Sequence, residues 1–366
     1  MSDEKQRKIG VVGGGLMGHG IAYLFAAAGH RVGVFEPSPE VRSSMPRRLQ
    51  SIVELLEDDP GLLRRIEAHD ALVPAMRDAA FVFEAAPEKL PLKQKIFAEL
   101  ESAVAPTAIL ASNSSAIPST EIGRQLVHRE RVVGTHFWNP PHLVPLVEVV
   151  QNEKTSGDVV TRTMDLLRQV GKTPVHVQRD IPGFVGNRLQ HAMKREAIAL
   201  VAAGVCDAET IDIVVREGFG ARTAVLGPME QSDLVGLDLA LDIAEVLYAD
   251  LDRTAGPHPL LRDRVKAGKL GMKTGEGLRK WTPEQAEEVR ARLSRFLAEQ
   301  AKVRKKHSAN SGRGQCFGQI VDLSPRDENR SRAPILDPRE SGVEDIMRPR
   351  LGFTPLFCRA ARARMP

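Results

Sequence analysis

Gly13-Gly14-Gly15-Leu16-Met17-Gly18 stands between a short apolar run, KIGVVG, and a helix-forming stretch, GIAYLFAAAGH, that ends at Gly29. Glycines at the first, third and sixth positions of a strand-to-helix turn each have a physical task. The first permits the tight turn, the second lets backbone approach a pyrophosphate, and the third lets the helix pack close to the strand. The helix N-terminus then presents N–H groups and the positive end of its dipole. Gly13, Gly15 and Gly18, with Leu16 and Met17 between them, are therefore the expected dinucleotide cradle. The pattern alone is weak, but RVGVFE follows as a second apolar strand and ends on Glu36, 18 residues beyond Gly18. An acid there accepts hydrogen bonds from ribose hydroxyls and repels a 2′-phosphate, so NAD is expected over NADP. The plainer alternative is a tight turn followed by an incidental acid.

The same alternation continues along the chain. AAFVFEAAP (79–87), AILASNSS, RVVGTHFWNP, LVPLVEVV and PVHVQRD read as strands; PLKQKIFAELESAV and DVVTRTMDLLRQVG read as helices. This implies an α/β fold, a Rossmann-type doubly wound and mostly parallel sheet with helices on both faces. Residues 39–76 read as a helical hairpin interrupted at Asp59-Pro60-Gly61. Ile181-Pro182-Gly183 punctuates a change to helical patterns. Long amphipathic segments at 187–203 and 230–249 belong to an all-α C-terminal domain. The expected boundaries are 1–181 for the NAD-binding domain, 182–303 for the helical domain and 304–366 for a tail. That tail has ten Arg and no Lys after Lys306 and no persistent period, so it reads as disordered or as an appended, non-native segment.

Net charge is +4, which raises the question of a nucleic-acid partner. Residues 301–366 hold 14 Lys and Arg against 7 Asp and Glu, so the other 300 residues carry −3. The basicity belongs to the tail, and no nucleic-acid partner is expected. No apolar run reaches the roughly 18–20 residues of a membrane span, so no membrane partner is expected either. The start, MSDEKQRK, carries acids and lacks an apolar signal core. Three cysteines, Cys206, Cys316 and Cys358, lack metal-ligand spacing, so neither a metal nor a disulfide framework is expected and the cytoplasm is the default location.

GTHFWNPPHLVPLVEVV (134–150) sets Glu148 inside an apolar strand, twelve residues after His136. A buried carboxylate costs several kcal/mol unless it is paired. A base held by such a carboxylate suits removal of a proton from a secondary alcohol while hydride leaves the carbon. The alternative is a structural His–Glu pair without catalysis.

With His136 the chain resembles the 3-hydroxyacyl-CoA dehydrogenase family, including its branch near lambda-crystallin, an L-gulonate dehydrogenase. The likeness covers roughly residues 8–300. It rests on the glycine turn, EAAPEKLPLK (84–93), SNSS (112–115), HFWNPPHLVPLVEVV (136–150), PGFVGNR (182–188), GPMEQSDLVGLD (227–238) and GKLGMKTGEG (268–277), in family order. The resemblance implies that His136 is the catalytic base and Glu148 the carboxylate that orients it. It implies that Ser115 and Asn187 polarise the substrate, with a helix cap and a helix-start polar residue as their respective alternatives. Glu88 and Lys93 match positions near the cofactor ribose and nicotinamide, against a solvated helix start. Asn139 steadies the loop or the nicotinamide amide. His142 and His191 match no role and read as structural or pocket-wall residues. The family further implies a homodimer through the helical domain and a substrate cleft between the domains.

The majority activity, oxidation of a 3-hydroxyacyl-CoA such as 3-hydroxybutyryl-CoA in fatty acid metabolism, is the first expectation. The second is the same hydride chemistry on a free 3-hydroxy acid, a sugar acid or a heterocyclic alcohol. The third is a catalytically silent, crystallin-like NAD-binding protein. Two features depart from the thioester pattern. Only 44 residues separate Glu36 from Phe81, and Glu54, Glu57, Asp58 and Asp59 make that segment acidic, although Arg42, Arg47 and Arg48 lie nearby. FWNPPHLVP is also bulkier and richer in proline than the common acyl-CoA form.

Overall fold

The computed structural model describes residues 6–310. Eight strands make one sheet: β1 (Lys8–Val12), β2 (Arg31–Phe35), β3 (Ile66–His69), β4 (Phe81–Glu84), β5 (Ile109–Ser112), β6 (Val132–Phe137), β7 (Leu146–Val150) and β8 (Thr173–Val177). Their spatial order is β3-β2-β1-β4-β5-β6-β7-β8. Every neighbouring pair is parallel except β6 and β7, which run antiparallel. The strand order reverses between β1 and β4, and ligands of such sheets bind outside the carboxyl ends at that point.

Strands covered on both faces need apolar side chains at consecutive positions. Ile9, Val11, Val32, Val34, Phe81 and Phe83 face one way, packing on helices α1 (Gly18–Ala27), α2 (Pro39–Leu56) and α6 (Gly157–Gln169). Val12, Val82 and Leu110 face the other way, onto α3 (Leu72–Met76), α4 (Leu90–Ala103) and α5 (Ser119–Ile122). The doubly wound sheet and the helical C-terminal domain follow the expected class.

The helical hairpin expected over 39–76 does not form. Glu57 takes a left-handed conformation (φ 56°) and ends α2; Asp59 then caps a 3-10 turn at Pro60–Arg65, which leads into β3 at the sheet edge. Leu62 turns under α1 as part of the core, whereas Ile66 pairs with Val32 in the sheet. Two of the positions that imitated a helical stripe therefore serve a turn and a strand.

Beyond β8 the chain is helical: α7 (Gly186–Ala202), α8 (Ala208–Glu217), α9 (Phe219–Thr223), α10 (Pro228–Val235), α11 (Leu237–Leu247), α12 (Pro259–Lys266) and α13 (Pro283–Asn310). The segment 230–249 is two helices rather than one, because Gly236 takes φ 94° and ends α10. None of α7–α12 contains a buried residue. Leu189, Leu234, Leu237, Leu241, Val246 and Tyr248 all stand exposed. Helix α13 continues past the expected boundary at 303, and the rest of the expected tail lies outside the described residues. Among the described residues no helix is long and apolar enough to cross a membrane.

Candidate active site

The glycine turn is built as its spacing requires. Gly13 has φ 95°, and a Cβ there would sit 2.8 Å from the Ala85 carbonyl oxygen. A Cβ on Gly18 would collide with the Gly13 carbonyl oxygen, whereas one on Gly15 would meet no protein atom within 4 Å. The turn is closed where the protein packs and open at its middle glycine, where a pyrophosphate would approach. No side chain caps α1 at Met17, and Leu16 is exposed beside it. Glu36 Oε2 accepts from the Gly14 N–H at 2.8 Å, and Oε1 accepts from the Ser38 N–H at 2.9 Å. A carboxylate oxygen has two lone pairs. The bonds that fix Glu36 therefore leave acceptor capacity for ribose hydroxyls.

A second set of charges shapes the SNSS loop. Glu84, at the end of β4, is fully buried, and its Oε1 accepts from Lys93 Nζ at 2.7 Å and from the Ala86 N–H at 2.7 Å. Its Oε2 accepts from Ser112 Oγ at 2.7 Å. Lys93 also pairs with Glu88 at 3.3 Å. Glu88 Oε1 accepts from Ser114 Oγ and from the N–H groups of Ser115, Ala116 and Ile117. Burial works to raise the Glu88 pKa, but those hydrogen bonds and the Lys93 charge outweigh it and hold the carboxyl below its ordinary range. Lys93 is thus no solvated helix-start residue. Ser114, and not Ser115, caps the turn by accepting from the Ile117 N–H at 2.9 Å. Among the described residues the exposed Ser115 hydroxyl has no protein partner.

β6 and β7 set His136 directly opposite Glu148, and Nδ1 lies 2.8 Å from Glu148 Oε2. Both residues are buried. The other oxygen, Oε1, accepts from the N–H groups of Val185 and Gly186, each at 3.0 Å. One carboxylate therefore ties the imidazole to the first turn of α7, which carries Asn187. Burial would raise the Glu148 pKa; the bonds from His136, Gly186 and Val185 reverse this and lower it. Gly183 (φ 76°) and Phe184 (φ 49°) form the left-handed corner before α7. Phe184 and Trp138 both pack against the His136 ring, at 5.4 Å and 5.5 Å between ring centres. The Phe137 N–H donates to Asn113 Oδ1 at 2.9 Å, which joins the SNSS loop to the histidine strand. Asn139 is exposed and has no hydrogen-bond partner among the described residues. Glu84, Asn113 and Trp138 were not foreseen; the one available signal was an acid, Glu84, inside the apolar strand FVFEAA.

Residues 8–181 match the family described as 3-hydroxyacyl-CoA dehydrogenase, NAD binding domain, and residues 183–281 match its C-terminal domain. The chain belongs to the 3-hydroxyacyl-CoA dehydrogenase family. As such it is an NAD-dependent dehydrogenase acting on CH–OH groups, with the glycine turn and Glu36 in the NAD-binding domain. A 5-formyl-3-hydroxy-2-methylpyridine 4-carboxylate 5-dehydrogenase from Mesorhizobium japonicum is 35% identical over 297 residues, covering 80% of this chain and 96% of that protein. A probable 3-hydroxybutyryl-CoA dehydrogenase from Bacillus subtilis is 38% identical over 282 residues, 74% of this chain and 96% of that one. A crystal structure of the pyridine-carboxylate 5-dehydrogenase, described as an NAD+ dependent dismutase, superposes with a TM-score of 0.76 at 33% identity, covering 82% of this chain and 98% of that one. The relatives' names span thioester and heterocyclic substrates.

Proposed function

We propose that the chain oxidises the hydroxyl of a small free acid or heterocyclic alcohol, with His136 as the base. The observation that carries the chemistry is the His136–Glu148 bond. With its Nδ1 proton engaged by Glu148, the imidazole offers Nε2 to the substrate O–H, and the carboxylate steadies the imidazolium that forms. The glycine turn and Glu36 would hold NAD, which would supply the hydride acceptor. Ser115 and Asn187 donate to the reacting oxygen or an adjacent carbonyl. Asn139, exposed at the head of the 138–145 loop, would steady that loop or the nicotinamide amide. Glu88 and Lys93 act from behind, holding the 114–117 turn, and Glu36 takes the ribose hydroxyls.

The preference for a free substrate rests on the segment between β2 and β4. It offers one long helix, a 3-10 turn, an edge strand and the five-residue α3, and two of its acids are occupied by α13: Glu57 pairs with Lys302, and Asp58 with Lys305. The resemblance to the pyridine-carboxylate dehydrogenase, which extends further along the chain than that to the butyryl-CoA enzyme, supports the same choice. A 3-hydroxyacyl-CoA substrate is the second reading, favoured by the 38% identity of the Bacillus relative. NADH formation with L-3-hydroxybutyryl-CoA, free 3-hydroxybutyrate, L-gulonate and hydroxymethylpyridine carboxylates separates the two. Turnover confined to free acids or ring alcohols is expected; turnover of the thioester alone would overturn the first reading.

The helical lobe bears on assembly. Six helices without one buried residue cannot close a core by themselves. A second copy covering this face, as a homodimer, is the arrangement we propose. Light scattering at micromolar concentration should give twice the chain mass, and a monomer would count against it.

A further inference from the structure

Helix α13 lies beyond the residues matched by the family's C-terminal domain, which end at 281, yet its last turns return to the NAD-binding domain. Lys302 Nζ meets Glu57 at 2.6 Å, and Lys305 pairs with Asp58, which also accepts from the Tyr23 hydroxyl. Exposed ion pairs of this kind contribute little individually. Arg304 differs from them. Its guanidinium donates to the Leu143 carbonyl oxygen at 2.8 Å, across 161 residues of chain.

Leu143 belongs to the 138–145 loop, which leaves β6 directly after the His136-Phe137 pair. Lys172 holds the same loop from within, donating from Nζ to the Pro141 carbonyl at 2.5 Å and the Val144 carbonyl at 2.8 Å. Lys172 and Arg304 thus donate to three carbonyls of a four-residue stretch that lies outside any strand or helix. Pro141 packs on Gly20 of α1, where a Cβ would come within 2.7 Å of its ring. His142 Nδ1 is buried with no partner among the described residues, and its ring meets Tyr23 edge-on at 6.2 Å. At the head of the loop Trp138 leans on His136 and crowds Gly186, so that a side chain there would strike the indole. Displacing the loop would move the indole against the imidazole.

We propose that Arg304 is a positioning residue: through the Leu143 carbonyl, α13 braces the 138–145 loop and with it the setting of His136. This rests on the reading of His136 as the base. Arg304 plays its part through the loop, by way of the Leu143 carbonyl.

The brace leaves a second signature. Burial first, and the Arg304 charge second, push the Lys172 pKa down to about 7 from 10.5. The other titratable groups in this cluster are His142 on the loop and His19 and Tyr23 on α1: burial pushes both histidines down, with the Arg48 charge adding to it at His19, and pushes the Tyr23 hydroxyl up to about 12. Between pH 7 and 10.5 the unfolded chain holds a proton at Lys172 that the folded chain has released, so stability rises with pH across that window. Below pH 7 both states are protonated, and the destabilisation from Lys172 is fully present. Removing the Arg304 charge shortens the window.

Steady-state kinetics and pH-dependent denaturation of full-length variants test the proposal. Arg304→Met should lower kcat by about tenfold, since misplacing a reacting group by 1 Å can cost about a hundredfold. KM for NAD should stay within about twofold, and the rise in stability between pH 7 and 9 should flatten. Arg304→Lys should recover most of the lost kcat, whereas Lys302→Met, on the same helix but paired with Glu57, should leave kcat near wild type. Should Arg304→Met fail to fold, Arg304→Gln is read in the same way. Wild-type kcat in Arg304→Met or Arg304→Gln would overturn the brace, as would an equal loss in Lys302→Met. An active His136→Gln would sink the base assignment instead, so the two failures can be told apart.

Discussion

Replacing His136 with Gln lowers turnover by on the order of 10²–10⁴-fold, the usual contribution of a positioned general base. The glutamine amide can still donate to Glu148, so the β6–β7 pairing and the anchoring of α7 persist. What disappears is the ring nitrogen that takes the substrate proton. The glycine turn and Glu36 are separate from this pair, so NAD affinity, measured by fluorescence titration, should stay within about twofold of wild type. kcat and kcat/KM should fall together, as they do when an interaction made only in the transition state is lost. Glu148→Gln should lower kcat by a smaller factor, because the amide supplies no charge to the imidazolium and its NH₂ group cannot accept from both sides. A decrease below tenfold in His136→Gln, in protein of unchanged melting temperature, would contradict the assignment.

Some of this site could be read from the chain because its logic is local. The glycine turn needs three glycines at fixed spacing between two apolar runs, and all of that lies within residues 8–30. Glu148 was legible for a different reason: a charge inside an apolar strand demands a partner, and His136 stands at a separation that an antiparallel return can close. Where partners are remote, the sequence is silent. Glu84 meets Lys93 and Ser112, 9 and 28 residues on, and nothing in FVFEAA says which cation answers it. Glu57 and Asp58 read as an acidic surface, yet their partners lie more than 240 residues away on α13. Leu62, Leu63 and Ile66 fit a helical period, and only the sheet edge left open beside β2 draws Ile66 into a strand. Single residues also broke long patterns, as Gly236 did between α10 and α11.

Replacing Lys93 with Met destabilises the fold by about 3–5 kcal/mol, the cost typical of removing one partner from a buried ion pair. Lys93 is 1% exposed and Glu84 fully buried, with 2.7 Å between them. Methionine fills the volume of the lysine stem but leaves the Glu84 carboxylate with only the Ala86 N–H and the Ser112 hydroxyl. Two neutral donors do not replace a cation at a site without water access. For a domain of this size such a loss lowers the melting temperature by roughly 6–20 °C, readable by calorimetry or circular dichroism. The same change removes a charge from beside Glu88, so the 114–117 turn that presents Ser115 should loosen as well. The double variant Lys93→Met, Glu84→Gln should regain most of the loss, because a neutral amide at position 84 no longer needs a cation. A single variant that melts within about 2 °C of wild type, corresponding to less than roughly 1 kcal/mol, would show that Glu84 is held by its hydrogen bonds alone.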